Sequence, residues 1–466
     1  MNNLIIDLTH GGVKIAISLA KNGENVIVYD IYNTLNNIDK RMLEIYNVEL
    51  IKLKDLADFK GDMNVIYPVH MPLSLDEIKS YNPNLNFTFQ THHEIIKELL
   101  NDWGEDILKV EITGVKGKTT SVFMLKEILI DYNPLILSSL GAFLYEDKNE
   151  IILKKNISIT PANIKETVDL AYKYANPICR PEENERKYSS AIFESSLGVS
   201  GIGDVGLLLN VVEDYPIAQK RSSASKAKKQ IFRCKHVCIK KETLDNYYSD
   251  EKHENINTFS LTDKNSNLYI EYCDYNLDET YIKLKYCNVK TIKNNVISGN
   301  IELKTFAPGK HHLSNVLGVV LTALTLNINC DKIIKGFEHF KGIEGRCFKK
   351  TVDKSIIIEE INPGINTSAI KECIDMLDDL DKYYIAVGGD YGITCEEIDE
   401  TKLAKLLNTL NKEIFLTGNV GASISEKLSK NYKFFKNYSD IYDLAIQDKK
   451  NLLFIYRSDY RKVSNR

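Results

Sequence analysis

A chain of 466 residues has room for about three domains of roughly 150 residues each. Hydrophobic residues make up 43% and charged residues 27%, the balance of a folded soluble protein, which excludes collagen-like, disordered and membrane-spanning classes. The 60 basic and 64 acidic residues leave a net charge of −4, so there is no electrostatic basis for a nucleic-acid binder, and nine scattered cysteines without a C-x-x-C pair fit reduced thiols in the cytoplasm.

The opening MNNLIIDLTHGG is too short an apolar run for a signal peptide and is interrupted by Asp7. Residues 4–8 read as a strand, 13–20 as a helix and 26–30 as a strand, the alternation of a parallel sheet covered by helices. Thr9-His10-Gly11-Gly12 between strand and helix offers backbone N–H groups and an imidazole to a carboxylate or phosphate, or is simply a glycine turn. Asp30 follows the glycines at a dinucleotide-binding distance, but G-x-G-x-x-G is absent and a nicotinamide cofactor is not expected. Ser74 with Glu77 and Thr91 with Glu94 predict capping boxes at two helix starts. A first domain of residues 1–105 follows.

A second pattern starts with the alternating strand 108–112, runs into Gly114-Val115-Lys116-Gly117-Lys118-Thr119-Thr120 and continues as a helix with Val122, Leu125 and Leu129 on one face. Glycines allow the tight turn that aims successive N–H groups at phosphate oxygens. Lys118 then neutralises β- and γ-phosphates and the Thr119 hydroxyl ligates Mg²⁺, so ATP and Mg²⁺ are expected. A full P-loop signature needs a glycine where Ile112 stands. Stretches such as YIKLKYCNV between 233 and 305 suggest an antiparallel extension of this domain, 106–345. After Arg346 strands are expected at 355–359, 384–387, 414–416 and 452–456, with Ile370, Cys373, Ile374 and Leu377 at helical spacing, a Rossmann-like domain over 346–466.

The shortened G-x-x-G-K-T-T loop resembles that of the Mur ligase family, and further matches follow in order. Glu194 in Phe193-Glu194-Ser195-Ser196 is similar to the family's Mg²⁺-binding glutamate. Asn210 to Tyr215 resembles Asn-x-x-x-Asp-His with tyrosine for histidine, and Ala227-Lys228-Lys229-Gln230-Ile231-Phe232 resembles the motif whose lysine is often carbamylated. The basic run 220–241 also fits a plain solvated helix face. Gly309 to Asn315 is similar to G-x-H-N-x-x-N, with Asn315 toward adenine and His312 in place of asparagine. Gly345-Arg346 resembles the linker arginine that reaches the γ-phosphate. Asn362-Pro363-Gly364-Ile365-Asn366 stands where the family closes a loop over the nucleotide, and Gly388-Gly389-Asp390 where it lines the acceptor site.

The resemblance implies an α/β, three-domain Mur-ligase-like architecture with a central P-loop domain and a C-terminal Rossmann-like domain. It also implies ATP-dependent activation of a carboxylate as an acyl phosphate. Lys118, Glu194, Lys228 and Arg346 carry catalysis; residues 114–120 with Asn315, Arg346, Asn362 and Asn366 hold ATP; Thr119 and Glu194 hold Mg²⁺; and His10, Gly11 and Gly12 hold substrate. IIDLTHGG and the lysine within the P-loop are similar to an archaeal branch acting on a nickel tetrapyrrole, where a propionate is activated and a ring carbon attacks it. The alternatives are an amide ligase adding an amino acid and, from another class, a P-loop switch that binds a protein partner. Cys234, His236 and Cys238 fit no common zinc spacing and are expected to be structural.

Overall fold

The computed structural model describes residues 1–176, 186–212, 214–377, 379–392 and 397–463. It separates into two compact units, one of residues 1–271, 283–302 and 314–337, the other of residues 272–282, 303–313 and 338–466. Among the described residues no helix is long and apolar enough to cross a membrane, and none of the seven described cysteines forms a disulfide.

The first sheet holds β1 (Asn2–Ile6), β2 (Asn25–Tyr29), β3 (Glu49–Leu50), β4 (Asp62–Tyr67) and β5 (Asn86–Thr91), parallel in the order β3-β2-β1-β4-β5. The expected first strand stops two residues early. Asp7 takes a left-handed φ of 73° and its carboxylate accepts the N–H groups of Thr9 and His10, which turns the chain into 8–12 before the helix Val13–Lys21. Both capping boxes form, at Ser74 and Thr91.

The second sheet contains β6 (Leu108–Thr113), β7 (Pro134–Ser138), β8 (Gly141–Glu146), β9 (Asn149–Lys154), β10 (Ser190–Glu194) and β11 (Val205–Leu208). A two-residue ribbon, β12 (Pro216–Ile217) with β13 (Ser222–Ser223), stands apart from it. The sheet continues with β14 (His236–Lys240), β15 (Ile256–Ser260), β16 (Leu268–Asp274), β17 (Thr280–Lys290) and β18 (Val296–Thr305), and its order is β18-β17-β16-β15-β14-β11-β6-β10-β7-β8-β9. The first part of the stretch after 233 differs from the expected antiparallel extension. β14 and β15 are parallel members of the main sheet because the helix Lys241–Tyr247 returns the chain between them. YIKLKYCNV lies within β17, which has Thr280, Ile282, Leu284 and Tyr286 on its buried side. Ile5, Leu8 and Val13 share one apolar cluster with Leu135, Ala162 and Phe193, so the first two sheets pack together in one unit.

The second unit carries β19 (Arg346–Val352), β20 (Ser355–Ile361), β21 (Tyr383–Gly389), β22 (Ile414–Thr417), β23 (Tyr432–Phe435) and β24 (Asn451–Arg457), ordered β19-β20-β24-β21-β22-β23. Only β19 pairs antiparallel. Ile358, Ile385 and Leu453 face one cluster and Ile357, Ala386 and Leu452 another, so the central strands are buried on both faces, as parallel sheets require.

Glu111 in β6 anchors the turn before β11. It is fully buried, and its carboxylate accepts the N–H groups of Ser200 (2.7 Å), Gly201 (2.8 Å) and Gly203 (3.2 Å) and the Ser200 hydroxyl (2.7 Å). Glutamine would present an NH₂ to some of these donors and leave them unsatisfied. Glu111→Gln is therefore expected to lower unfolding free energy by about 2 kcal/mol in urea denaturation, and unchanged stability would show that the turn does not depend on the carboxylate.

Candidate active site

The middle of the second sheet runs β11-β6-β10, parallel and in register, so three neighbouring strands end at the same edge. Such edges are where open α/β sheets bind ligands. β6 delivers the P-loop, β10 ends on Glu194, and β11 leads to Asn210.

Gly117 caps the helix Lys118–Ile128 at φ 84°, and a Cβ there would lie 2.0 Å from Asn315 Oδ1. Only glycine permits both the turn and the approach of Asn315. Asn210 clamps the loop from the other side: its Oδ1 accepts Lys116 N–H (3.1 Å), its Nδ2 donates to Lys116 O (3.1 Å), and its carbonyl accepts Val115 N–H (3.2 Å). Lys118 folds back over the loop, with Nζ donating to Gly114 O (3.1 Å) and Val115 O (3.4 Å). Thr120 is buried on the first turn of the helix.

Thr119 Oγ1 lies 3.1 and 3.0 Å from the two oxygens of Glu194 and 2.9 Å from Ser139 Oγ, and Ser139 N–H donates to Glu194 Oε2 (3.0 Å). Glu194 is only 2% exposed. A buried carboxylate bordered by two hydroxyls is a hard-oxygen donor set that fits Mg²⁺.

Lys228 is not on a solvated face. It is fully buried, its Nζ donating to Ser196 O and to Thr113 Oγ1 (3.4 Å). Burial pushes its ammonium well below the usual lysine range; Lys118 adds to the shift and Asp214 opposes it. Asp214 itself holds Ser225 through its N–H (2.8 Å) and hydroxyl (2.6 Å); Glu213 lies outside the described residues. His93, absent from the sequence reading, is buried with neither ring nitrogen bonded. Burial pushes its imidazole down to about 3.

Gly11 of the first sheet sits against the second: a Cβ there would meet Ala162 Cβ at 2.5 Å and Thr160 Oγ1 at 3.5 Å. A Cβ on Gly12 would meet Asp7 O at 2.2 Å. His10 stands between Tyr32 and His70, 5.8 and 4.4 Å from their ring centres. In the second unit, Arg346 donates to Gly345 O (3.1 Å) and Ile361 O (2.7 Å), Asn362 binds Glu360, and Asn366 caps the helix Thr367–Asp375 through Ala369 N–H (3.0 Å). Asp390 accepts from Ser458 Oγ (3.0 Å). Cys234 precedes β14 and faces Glu111, whereas Cys238 faces Thr325, so this pair does not converge on a metal.

A family model described as coenzyme F430 synthetase, C-terminal domain, matches residues 349–459. The coenzyme F(430) synthetase of Methanocaldococcus jannaschii is 27% identical over 94% of this chain and 95% of its own length. That of Methanosarcina acetivorans is 25% identical over 80% and 78%. Among solved structures, MurF ligase of Thermotoga maritima in complex with ADP superposes with a TM-score of 0.55 at 14% identity, covering 88% of this chain and 94% of that one. The chain has the fold of the Mur ligases and is similar to the coenzyme F430 synthetases over most of its length.

Proposed function

We propose that the chain closes the carbocyclic ring of a nickel tetrapyrrole, activating a free propionate with ATP and joining it to a ring carbon of the same molecule. The domains are assigned as 1–105 for substrate, 106–345 for ATP with its β extension, and 346–466 as a Rossmann-like ligase domain. What carries the reading is the meeting of Lys118, Thr119, Glu194 and Lys228 at one sheet edge, in a chain similar to F430 synthetases along 94% of its length.

In this mechanism residues 114–120 cradle the triphosphate through their backbone N–H groups, Lys118 offsets the charge growing on the transferred phosphoryl group, and Asn315 reads adenine with its amide. Arg346 adds a planar guanidinium to the γ-phosphate, and Asn362 and Asn366 border the nucleotide. Thr119 and Glu194 would hold Mg²⁺, which would neutralise phosphate charge when bound. His10 and the N–H groups of Gly11 and Gly12 orient the propionate. A carboxylate oxygen attacks the γ-phosphorus and ADP leaves; a ring carbon then attacks the acyl carbon, phosphate leaves, and the carbon-bound proton is lost. The second step is intramolecular, so orientation and exclusion of water supply most of its acceleration.

A nickel tetrapyrrole with a free propionate, given only ATP and Mg²⁺, is expected to yield ADP, phosphate and a product lighter by one water, with hydroxylamine diverting it to a hydroxamate. Background ATP turnover with that tetrapyrrole, alongside turnover supported by an amino acid and another carboxylate, would replace ring closure by amide ligation. Lys228, buried and biased toward its neutral amine, is set to react with CO₂ and become a carbamate. Bicarbonate depletion is expected to lower activity, and Lys228→Ala to be rescued in part by a small carboxylate. Indifference to both treatments would remove the carbamate.

A further inference from the structure

The turn after β1 and the loop after β4 bring three side chains to one point. Asp7 Oδ2 lies 2.7 Å from His10 Nδ1 and 3.4 Å from His70 Nε2, and the two nitrogens are 3.1 Å apart. Asp7 Oδ1 is already occupied by the N–H groups of Thr9 (2.9 Å) and His10 (3.2 Å), which fixes the other oxygen toward the imidazoles.

Protons do not satisfy this triangle. If His10 Nδ1 carries its proton toward Asp7, the proton on His70 Nε2 faces another N–H. If His70 instead donates to His10 Nδ1, that nitrogen turns a lone pair on the carboxylate. One edge is repulsive with either tautomer, whereas a cation at the centre is attracted to all three atoms. The size also fits: nitrogen and oxygen ligands lie about 2.0–2.2 Å from a divalent d-block ion, so neighbours in its shell sit about 3 Å apart. Two imidazoles and one carboxylate on a single face suit such an ion and leave further positions open.

The surroundings agree. Asp7 is fully buried, while the His10 and His70 side chains are 40% and 23% exposed, so the triangle is closed on the protein side and open on the other. Among the described residues no lysine or arginine pairs with Asp7; Lys14, one turn along, is drawn away to Glu166 (2.6 Å) and Asn163. The neighbouring His92 is turned elsewhere, its Nε2 3.0 Å from Ile6 O.

We propose that Asp7, His10 and His70 form a binding site for one divalent d-block cation, with open positions for an oxygen ligand. It is separate from the Thr119–Glu194 pair in place and chemistry, since imidazole nitrogen selects against Mg²⁺. The site beside Gly11 would hold a substrate carboxylate by direct coordination, yet metal binding itself does not depend on which carboxylate is activated.

The test is Co²⁺ titration of the metal-free full-length protein, followed by visible absorption in excess Mg²⁺. One equivalent is expected to bind with ligand-field bands, with His10→Ala and His70→Ala each weakening binding by about 10-fold or more, Asp7→Asn weakening it with the turn retained by circular dichroism, and Glu194→Gln leaving it unchanged. Absence of the bands, or bands unaltered in the folded His10→Ala and His70→Ala proteins, would overturn the site and leave the ring-closing reaction to be judged by its own product.

Discussion

A carboxylate and a lysine are buried at one edge of the second sheet, and each is bonded to neutral partners. Glu194 is satisfied by the Thr119 hydroxyl and the Ser139 N–H, and Lys228 by the Ser196 carbonyl and the Thr113 hydroxyl. Taking either group out of water is costly, and neutral partners recover only part of that cost. A buried carboxylate held only by neutral donors is better balanced when a cation stands beside it. The fold around it serves to hold this imbalance in place. Glu111 ties down the turn that positions β11, Asn210 clamps the P-loop, and Gly117 leaves room for Asn315.

Much of this was legible in the chain. The strand, the shortened glycine loop and the helix could be read from periodicity and spacing, and both capping boxes formed because a hydroxyl and a glutamate three residues on satisfy each other's end of the helix. Lys228 was harder, since a run with Lys226, Lys228 and Lys229 reads as solvated by composition. A finer signal was present: Ala224, Ala227, Lys228 and Ile231 recur at i, i+3, i+4 and i+7, and all four are buried. A lysine on an apolar face is the pattern to heed.

Other features lay beyond sequence reasoning. Asp7 and His70 meet only because β1 and β4 are neighbours in the sheet, a pairing that skips β2 and β3. The parallel course of β14 and β15 was hidden because the connecting helix Lys241–Tyr247 is short and polar, without a clear apolar stripe. In the second unit, by contrast, β20, β21 and β24 carry long apolar runs because both faces are buried, and their positions could be read within two residues, whereas the more exposed edge strands β19 and β23 carry no such run and were not expected.

The central claim is that ATP energy passes through a phosphorylated carboxylate. If a carboxylate oxygen attacks the γ-phosphorus and is later expelled with phosphate, a substrate labelled with ¹⁸O in its propionate transfers one labelled oxygen to the phosphate released in each turnover. Mass spectrometry of phosphate from a single turnover measures this directly. Singly labelled phosphate in step with ADP is the expected result, and unlabelled phosphate from a reaction that still forms product would contradict acyl-phosphate activation.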